Sequence, residues 1–308
     1  MTTLLYSHPV CLEHLVPLGH PERPERLRAI AEALHGEPFR ALMRMAAPVA
    51  DEEAVLAAHS ASHLDGIRAA SPAEGIVHLD PDTAISRMSL EAALRAAGGA
   101  VAGVDDVFSG RADNAFVATR PPGHHAERER AMGFCLFNNA AIAARHAQRA
   151  HGAERVAIVD WDVHHGNGTQ DIFWNDSSVL YCSTHQMPLF PGTGRPSEAG
   201  VGNIVNVPLA TGSGSAEFRA AFAGPVFSAV DSFAPDLVVI SAGFDAHWRD
   251  PLAGINLVED DFDWATGVLM ELAARYCGGR LVSVLEGGYD LEGLSLSVAA
   301  HVSRLMKG

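Results

Sequence analysis

The chain has 308 residues, of which 48% are hydrophobic and 19% are charged, and its formal net charge at pH 7 is -15. This composition is typical of a globular protein with a sizeable core. The negative charge argues against nucleic acid as a partner, because phosphate neutralisation requires a basic surface. No apolar run is long enough to span a bilayer, which argues against a membrane as a partner. The first residues lack a basic stretch followed by an apolar one, so we expect no signal peptide and a cytoplasmic location.

No internal repeat, low-complexity tract or convincing linker divides the chain, so we expect a single domain over residues 1–308. The segment 192–214 is rich in Gly, Pro, Ser and Thr, but the apolar run 204–207 interrupts it, which predicts loops around a strand. The cysteines are widely spaced and form no CxxC pair, which argues against a zinc finger or a disulfide framework. They are Cys11, Cys135, Cys182 and Cys277.

Helical and strand patterns alternate along the chain. Apolar residues at helical spacing predict helices, and short β-branched or aromatic runs predict buried strands. Pro24 suits the first turn of the first helix, and the Gly278-Gly279 pair favours the end of the last predicted one. The alternation predicts an α/β fold with a mostly parallel sheet that helices cover on both faces. The predicted elements are helix 24–34, helix 90–107, strand 115–118, helix 138–150, strand 156–159, strand 179–182, helix 216–233, strand 237–240, helix 259–276 and strand 281–285.

Polar residues come directly after each of the five predicted strands. In a parallel sheet all carboxyl ends lie at one edge, where ligands bind in open α/β folds. Histidines, carboxylates and a tyrosine from distant parts of the chain are therefore expected to converge. The segments are RPPGHH at 120–125, DWDVHHGNG at 160–168, STH at 183–185, SAGFDAH at 241–247 and EGGYD at 286–290.

Asp162, His164 and Asp245 form the predicted metal site. At an extended strand end, residues i and i+2 point to the same side, so Asp162 and His164 can reach one ion, and Asp245 supplies a third ligand. One histidine and two carboxylates suit Zn²⁺ or Fe²⁺, and three protein ligands leave an open position for catalysis. The competing interpretation is that Asp162 and His164 pair with each other or cap a helix. Gly166 stands where a second metal would require another carboxylate, which favours one metal ion.

The adjacent His124 and His125 are predicted to transfer protons, with Asp160 and Asn167 as their partners. A carboxylate partner raises a histidine's pKa, whereas an amide only orients the ring, so the histidine beside Asn167 is expected to be neutral and to act as a base. Tyr289, after two glycines, is predicted to donate a hydrogen bond to an oxyanion. The competing interpretation is a core tyrosine beside a turn.

The remaining histidines of these strand-end segments are His165, His185 and His247. We expect His165 and His185 to be structural, and the role of His247 is left open.

These motifs resemble the zinc-dependent histone deacetylase superfamily, and the similarity spans roughly residues 20 to 290. Asn167 favours the class II enzymes and the related bacterial amidohydrolases, because class I enzymes usually carry Asp at this position. The motifs are HPERPERL at 20–27, RPPGHH at 120–125, MGFCLFNN at 132–139, DWDVHHGNG at 160–168, FPGTG at 190–194, SAGFD at 241–245 and EGGYD at 286–290.

The resemblance implies the arginase/deacetylase fold and a role for each matching residue. Zn²⁺ would be bound by Asp162, His164 and Asp245. His124, backed by Asp160, would act electrostatically, and His125, beside Asn167, would be the general base and then the general acid. Tyr289 would polarise the acetyl carbonyl. The substrate tunnel would be formed by Gly133, Phe134 and Phe190.

The resemblance also implies two potassium sites. One K⁺ would be bound at Asp160, Asp162, His164, Ser183 and Thr184. A second K⁺ would be bound at Phe173, Asp176 and Val179.

The reaction expected from the resemblance is hydrolysis of an acetyl amide, most simply N6-acetyl-lysine in a peptide. In the family, the position seven residues after the last metal ligand gates the tunnel mouth, and polyamine-specific relatives can carry Glu there. This chain has Leu252 at that position, which favours acetyl-lysine or a small acyl amide over acetylpolyamines. The acidic charge of the chain instead suits acetylpolyamines, so a small-amide amidohydrolase is the alternative. A metal-bound binding protein with little turnover is a further alternative, against which the intact His124-His125 pair argues. A dinuclear arginase-like enzyme is another, against which Gly166 argues. A homo-oligomer is compatible with all of these.

Overall fold

An eight-stranded, all-parallel β-sheet forms the centre of the computed structural model, which describes residues 1–308. In chain order the strands are β1 (Thr3–Ser7), β2 (Met43–Ala46), β3 (Ile76–His78), β4 (Ala84–Ser86), β5 (Asn114–Val117), β6 (Val156–Asp160), β7 (Val179–Gln186), β8 (Ile204–Leu209), β9 (Leu237–Ala242) and β10 (Leu281–Leu285). The order across the sheet is β2-β1-β5-β10-β9-β6-β7-β8, and β3 and β4 form a separate antiparallel pair.

Helices cover both faces of this sheet. In chain order they are α1 (Glu25–Ala33), α2 (Glu52–Leu56), α3 (Ala61–Ala70), α4 (Ser89–Phe108), α5 (Asn139–His151), α6 (Asn167–Phe173), α7 (Ser215–Ala221), α8 (Phe227–Phe233), α9 (Glu259–Cys277) and α10 (Leu291–Lys307). Side chains of α4 and α5 belong to one apolar core, and those of α1, α9 and α10 belong to a second. Along β6, Val156 and Ile158 face the first core, whereas Ala157 and Val159 face the second, as the two-residue period of a strand requires.

The predicted α/β class is confirmed, and every predicted strand and helix except helix 216–233 is present, strand 281–285 with its predicted bounds and the others with shifted ones. The run 204–207 is part of β8. Pro24 is the N-cap of α1 rather than a residue of its first turn. The predicted helix 216–233 is wrong as one regular helix, because a π-helical segment, Phe222–Val226, separates α7 from α8. Pro225 lies inside this segment, and its missing N–H prevents regular α-helical hydrogen bonding there.

The five predicted strands are the adjacent central strands β5, β10, β9, β6 and β7. Each of them is buried along its whole length, which explains their continuous apolar sequences. The edge strand β2 was not predicted, because its sequence Met-Arg-Met-Ala is exposed and carries no such signal. The carboxyl ends of the central strands lie side by side and bring their polar segments together.

Candidate metal centre and active-site pocket

Three buried side chains of metal-ligand type meet at the carboxyl edge of the sheet. Nδ1 of His164 lies 3.1 Å from Oδ1 of Asp162 and 3.1 Å from Oδ2 of Asp245. Asp162 and His164 lie in a bend after Asp160, which is the last residue of β6. The prediction that they converge because alternate residues of an extended strand point to the same side is therefore wrong. Instead, the backbone N–H of His164 donates to Oδ1 of Asp162 at 2.9 Å, and this local turn aims both side chains inward.

The electrostatics of this group favour a bound cation. Burial, together with the charge of Asp162, raises the pKa of Asp245 to about 7, because two carboxylates in a dry site repel each other. The separations of 3.1 Å from His164 to the two carboxylates are close to the spacing of zinc ligands. In a tetrahedral site with bonds of about 2.0–2.2 Å, neighbouring ligand atoms lie about 3.3–3.6 Å apart. The three residues therefore fit a single metal ion.

Two glycines leave the space that these carboxylates occupy. A Cβ at Gly243 would overlap the carboxylate of Asp162, and a Cβ at Gly287 would overlap that of Asp245. The N–H of Gly287 donates to Oδ2 of Asp162 at 2.8 Å, and the N–H of Val163 donates to Oδ1 of Asp245 at 2.8 Å. Backbone donors on both strand-end segments thus fix the orientation of the carboxylates.

The adjacent histidines have different partners. Nδ1 of His124 lies 3.0 Å from Oδ2 of Asp160, and Nδ1 of His125 lies 2.8 Å from Oδ1 of Asn167. Burial opposes a charge on His124, but the carboxylates of Asp162 and Asp160 outweigh it and raise the pKa of His124. Burial and the charge of His124 lower the pKa of His125. At pH 7 these directions give a charged His124 beside a neutral His125.

Glu286, the residue after β10, is a site residue that the sequence patterns did not single out. Its Oε2 accepts the N–H groups of Gly123 at 2.7 Å and of His124 at 3.1 Å, and its Oε1 accepts the hydroxyl of Ser241 at 3.1 Å. Burial raises the pKa of Glu286 to about 7. This carboxyl group holds the backbone of the histidine pair in place. The signal in the sequence was a carboxylate directly after the largely apolar strand β10.

Tyr289 is held by two residues that were also not predicted. Its N–H donates to Oδ2 of Asp250 at 2.7 Å, and the guanidinium of Arg26 lies 5.0 Å from the centre of its ring. Nε of Arg26 also donates to the carbonyl of Gly288 at 2.6 Å. The ring of Tyr289 meets that of Phe134 edge-on at 5.9 Å. Both the backbone and the ring of Tyr289 are therefore fixed.

A pocket of about 240 Å³ leads from the surface to the metal-type cluster. The three residues that were expected to form the tunnel, and Leu252 at the position expected to gate it, are all in its wall. Asp82 and Leu189 also line the pocket, although neither was predicted. For Asp82, the two closely spaced carboxylates of Asp80-Pro81-Asp82 were a signal in the sequence. The lining residues are Asp82, His125, Gly133, Phe134, His164, Leu189, Phe190, Leu252 and Tyr289.

The structure buries all five residues expected at the first potassium site. Asp160 pairs with Ser183 in the register of β6 and β7, and Oγ of Ser183 lies 2.8 Å from Nδ1 of His185. The neighbouring Thr184 buries its hydroxyl without a hydrogen-bond partner. The first potassium site stays a prediction.

At the second expected potassium site, three backbone carbonyls converge on Nδ2 of Asn203. The distances are 2.9 Å from Phe173, 2.9 Å from Asp176 and 2.8 Å from Val179. An amide nitrogen carries only two protons, so it cannot satisfy three carbonyls. Asn203 was not predicted, and this second set of expected residues is brought together around it.

The remaining histidines are outside the pocket wall. Nδ1 of His165 lies 2.8 Å from Oγ1 of Thr193, and Nε2 of His185 lies 2.9 Å from the carbonyl of Gly194. Burial lowers the pKa of His165 to about 3 and that of His185 to about 4. His247 accepts the N–H of Arg249 at its Nδ1, at 3.3 Å. These contacts are of the structural kind expected for His165 and His185.

Comparisons with known proteins agree with this geometry. The family model described as "Histone deacetylase domain" matches residues 20–305. The "Histone deacetylase-like amidohydrolase" of Pseudomonas aeruginosa is 43% identical over 279 residues, which are 88% of this chain and 73% of that protein. The "Probable deacetylase" of Archaeoglobus fulgidus is 39% identical over 309 residues, with 95% of this chain and 83% of that protein covered.

A solved structure described as "Crystal Structure of HDA15 HD domain" superposes with a TM-score of 0.92 at 39% identity, covering 99% of this chain and 91% of that one. No helix of this chain combines the length and apolar character that crossing a membrane requires. Sequence, fold and pocket therefore lead to one assignment. The chain belongs to the histone deacetylase family and is a hydrolase that acts on amides.

Proposed function

We propose that the chain is a zinc-dependent deacetylase that hydrolyses N6-acetyl-lysine in peptides or proteins, releasing acetate and a free amine. One observation carries the proposal: His164 of the metal-type cluster, His125 and Tyr289 line the same narrow pocket. A metal ligand, a proton acceptor and an oxyanion donor are the groups that amide hydrolysis requires.

Asp162, His164 and Asp245 would hold the zinc ion. When bound, zinc supplies Lewis-acid chemistry, in that it acidifies a water molecule and polarises a carbonyl oxygen. Fe²⁺ is an alternative for this ligand set. Metal analysis of protein purified without added metal distinguishes the two ions.

The proton transfers are assigned to His125 and the charge stabilisation to Tyr289 and His124. Neutral His125, oriented by Asn167, takes a proton from the attacking water and later returns it to the departing amine. The hydroxyl of Tyr289 donates a hydrogen bond to the developing oxyanion. His124, charged because the carboxylates of Asp162 and Asp160 raise its pKa, favours the build-up of negative charge nearby.

The pocket wall favours an extended aliphatic substrate arm. Phe134 and Phe190 line the pocket with apolar rings that suit a methylene chain, and Leu252 adds an uncharged side chain to the wall. A carboxylate, Asp82, also lies in the wall, and it can accept peptide N–H groups or attract an ammonium group. This carboxylate and the net charge of -15 favour acetylpolyamines as the alternative substrate class.

Acetate release from an acetyl-lysine peptide, N-acetylputrescine and acetylspermidine tests the substrate class. Preference for the peptide supports the proposal, whereas preference for the polyamines replaces lysine with the alternative. Tyr289→Phe tests the mechanism on the preferred substrate, and loss of one oxyanion donor is expected to lower kcat about 10²- to 10³-fold. Tyr276→Phe is the matched control, because its hydroxyl donates to Oδ1 of Asp231 at 2.7 Å on the surface of α9. Unchanged turnover in Tyr289→Phe contradicts the assigned site.

Potassium is proposed as a second cation, at the two sets of residues around β6 and β7. The convergence of three carbonyls on Asn203 supports the site at Phe173, Asp176 and Val179. Thermal unfolding in K⁺ against tetramethylammonium at equal ionic strength tests it, and a higher Tm in K⁺ is expected.

Four buried free cysteines suit a reducing compartment, and we place the single-domain protein in the cytoplasm on that ground. Gel filtration with light scattering tests whether it is a homo-oligomer.

A further inference from the structure

A second group of metal-type side chains lies between α4 and α5. Nε2 of His146 and Nε2 of His151 each lie 2.7 Å from the same oxygen, Oδ1 of Asp105. All three ligand atoms lie within 4.8 Å of one another, as the ligand atoms of Asp162, His164 and Asp245 also do. Unlike that cluster, this one is partly open to solvent, so an ion can enter without a change of fold.

The group is separate from the catalytic pocket. Asp105 lies near the end of α4, and His151 is the last residue of α5. Only short connections join these helix ends to the first residues of β5 and β6, Asn114 and Val156. The group therefore lies toward the amino edge of the parallel sheet, whereas the pocket lies at the carboxyl edge.

The surroundings of the group favour a cation. Asp105 and His146 of the group border a cavity of about 370 Å³, and Asp51 and Glu53 line the same cavity. The guanidinium of Arg149 also borders the cavity, but one of its nitrogens donates to the carbonyl of Glu53 at 3.2 Å. The lining of the cavity thus contains three acidic residues and one arginine, so acidic residues are in excess.

The ligand set and its order point to a transition metal. Two imidazole nitrogens and one carboxylate suit Zn²⁺, Co²⁺ or Ni²⁺ better than Mg²⁺ or Ca²⁺, which prefer oxygen ligands only. The ring of His151 stacks on Phe108 at 4.6 Å and 13°, so its orientation is already fixed. Widening the two 2.7 Å contacts to the spacing of about 3.3–3.6 Å in a tetrahedral zinc site requires only a small side-chain rotation.

We propose that Asp105, His146 and His151 form a second site for a divalent transition metal, which links α4 to α5 and has no part in the reaction. Three protein ligands leave the remaining positions to water in the adjoining cavity. Because an ion held there binds the folded chain only, it raises the stability of the fold.

Zinc stoichiometry tests the proposal. The purified protein and the His151→Phe variant are equilibrated with micromolar Zn²⁺, and bound metal is measured by mass spectrometry. Phe at position 151 removes a ligand and keeps the stacking on Phe108. We expect the variant to bind one Zn²⁺ fewer per chain, to lose the zinc-dependent rise in Tm, and to keep the deacetylase activity. The cysteines are buried and do not add to the count.

Asp105→Asn is the second variant, in case His151→Phe is unstable, and it too is expected to lose one Zn²⁺. His35→Gln, at an exposed histidine, is the control and keeps the full count. Equal counts in wild type and both variants overturn the proposal, as does extra binding only at millimolar zinc. Loading with Co²⁺ gives an independent measurement. The difference between the visible absorption spectra of the Co²⁺-loaded wild type and variant is expected to be that of Co²⁺ bound by nitrogen and oxygen ligands.

Discussion

Oδ1 of Asn167 lies 2.8 Å from Nδ1 of His125. Because an amide carries no net charge, this contact orients the imidazole and raises its pKa less than a carboxylate would. Burial and the charge of His124 outweigh it and lower the pKa of His125. The other end of the amide is also fixed, since Nδ2 of Asn167 donates to Oε1 of Glu127 at 2.7 Å. Asn167 therefore orients His125, while burial and the charge of His124 keep the imidazole in the neutral form that accepts a proton.

Asn167→Asp is expected to raise the pKa of His125 by about one unit or more. If His125 is the base, only its neutral form is active, so a higher pKa moves the acid limb of the kcat/KM profile to higher pH. A pH profile on the acetyl-lysine peptide measures this shift. The double variant Asn167→Asp/Glu127→Gln is the matched control, because it avoids two facing carboxylates and restores the donor. An acid limb that stays in place in both variants excludes His125 as the titrating base.

Gly133→Ala is expected to disrupt the active site with little additional loss of stability. Gly133 has φ +56°, and a Cβ there would lie 2.5 Å from Cδ2 of His125. The left-handed backbone costs a non-glycine residue about 1–2 kcal/mol, and the clash also displaces the imidazole. We expect kcat/KM to fall more than about tenfold, equivalent to about 1.4 kcal/mol.

Gly152→Ala is the control for the backbone term of that experiment. Gly152 has φ +68° at the end of α5, and nothing lies within 4 Å of its added Cβ. Both variants should lose similar free energies of unfolding in denaturant titrations, but only Gly133→Ala should lose activity. Equal activities in the two variants would mean that the wall beside His125 yields to the methyl group.

Leu252→Glu is expected to move the substrate preference toward acetylpolyamines. Leu252 lies in the pocket wall, and its N–H donates to Oδ1 of Asp250 at 3.0 Å, which fixes its backbone. A carboxylate there attracts a distant ammonium group, and a gain of about 1.4 kcal/mol changes the ratio of kcat/KM values about tenfold. Leu252→Gln, with the same shape and no charge, should leave the ratio near that of the wild type. A similar change in both variants would assign the effect to shape.

Acid is expected to destabilise the fold through buried histidines. Burial lowers the pKa of His301 to about 3 from an ordinary 6.5, and its two nitrogens lie 2.7 Å from Oγ1 of Thr266 and 2.9 Å from Oγ of Ser283. Because the pKa of His301 is lower in the folded chain, the unfolded chain binds a proton at this imidazole more tightly than the folded chain does. Its contribution is therefore complete above pH 6.5 and falls as the pH drops toward 3.

Each such histidine contributes up to about 1.4 kcal/mol per pH unit to this loss. His301→Gln should make the free energy of unfolding less steep between pH 6 and 4 by about that amount, measured by urea titration at each pH. His35→Gln, at an exposed position, should leave the slope as it is in the wild type. An unchanged slope in His301→Gln would show that His301 is not a source of the acid sensitivity.

The composition of the site was readable from the sequence because strand-end residues come directly after fully buried strands. His125, Asp162 and Asp245 each stand in such a segment, and a parallel sheet places all carboxyl ends at one edge. Resemblance to a family added Gly133, Phe134, Phe190 and Leu252, which have no chemical signal of their own. The structure places these residues in one wall.

The tertiary structure alone decided how the site is supported. Asp250, Arg26 and Glu286 act through backbone groups far away in the sequence, such as the N–H of Tyr289 and the N–H of His124, and no periodicity records such contacts. The same holds for the bend that turns Asp162 and His164 toward each other. Local sequence determines which strands are buried and which residues stand at their ends, because burial and periodicity are local properties. Which distant donor meets which acceptor depends on packing, and packing is settled only when the whole chain has folded.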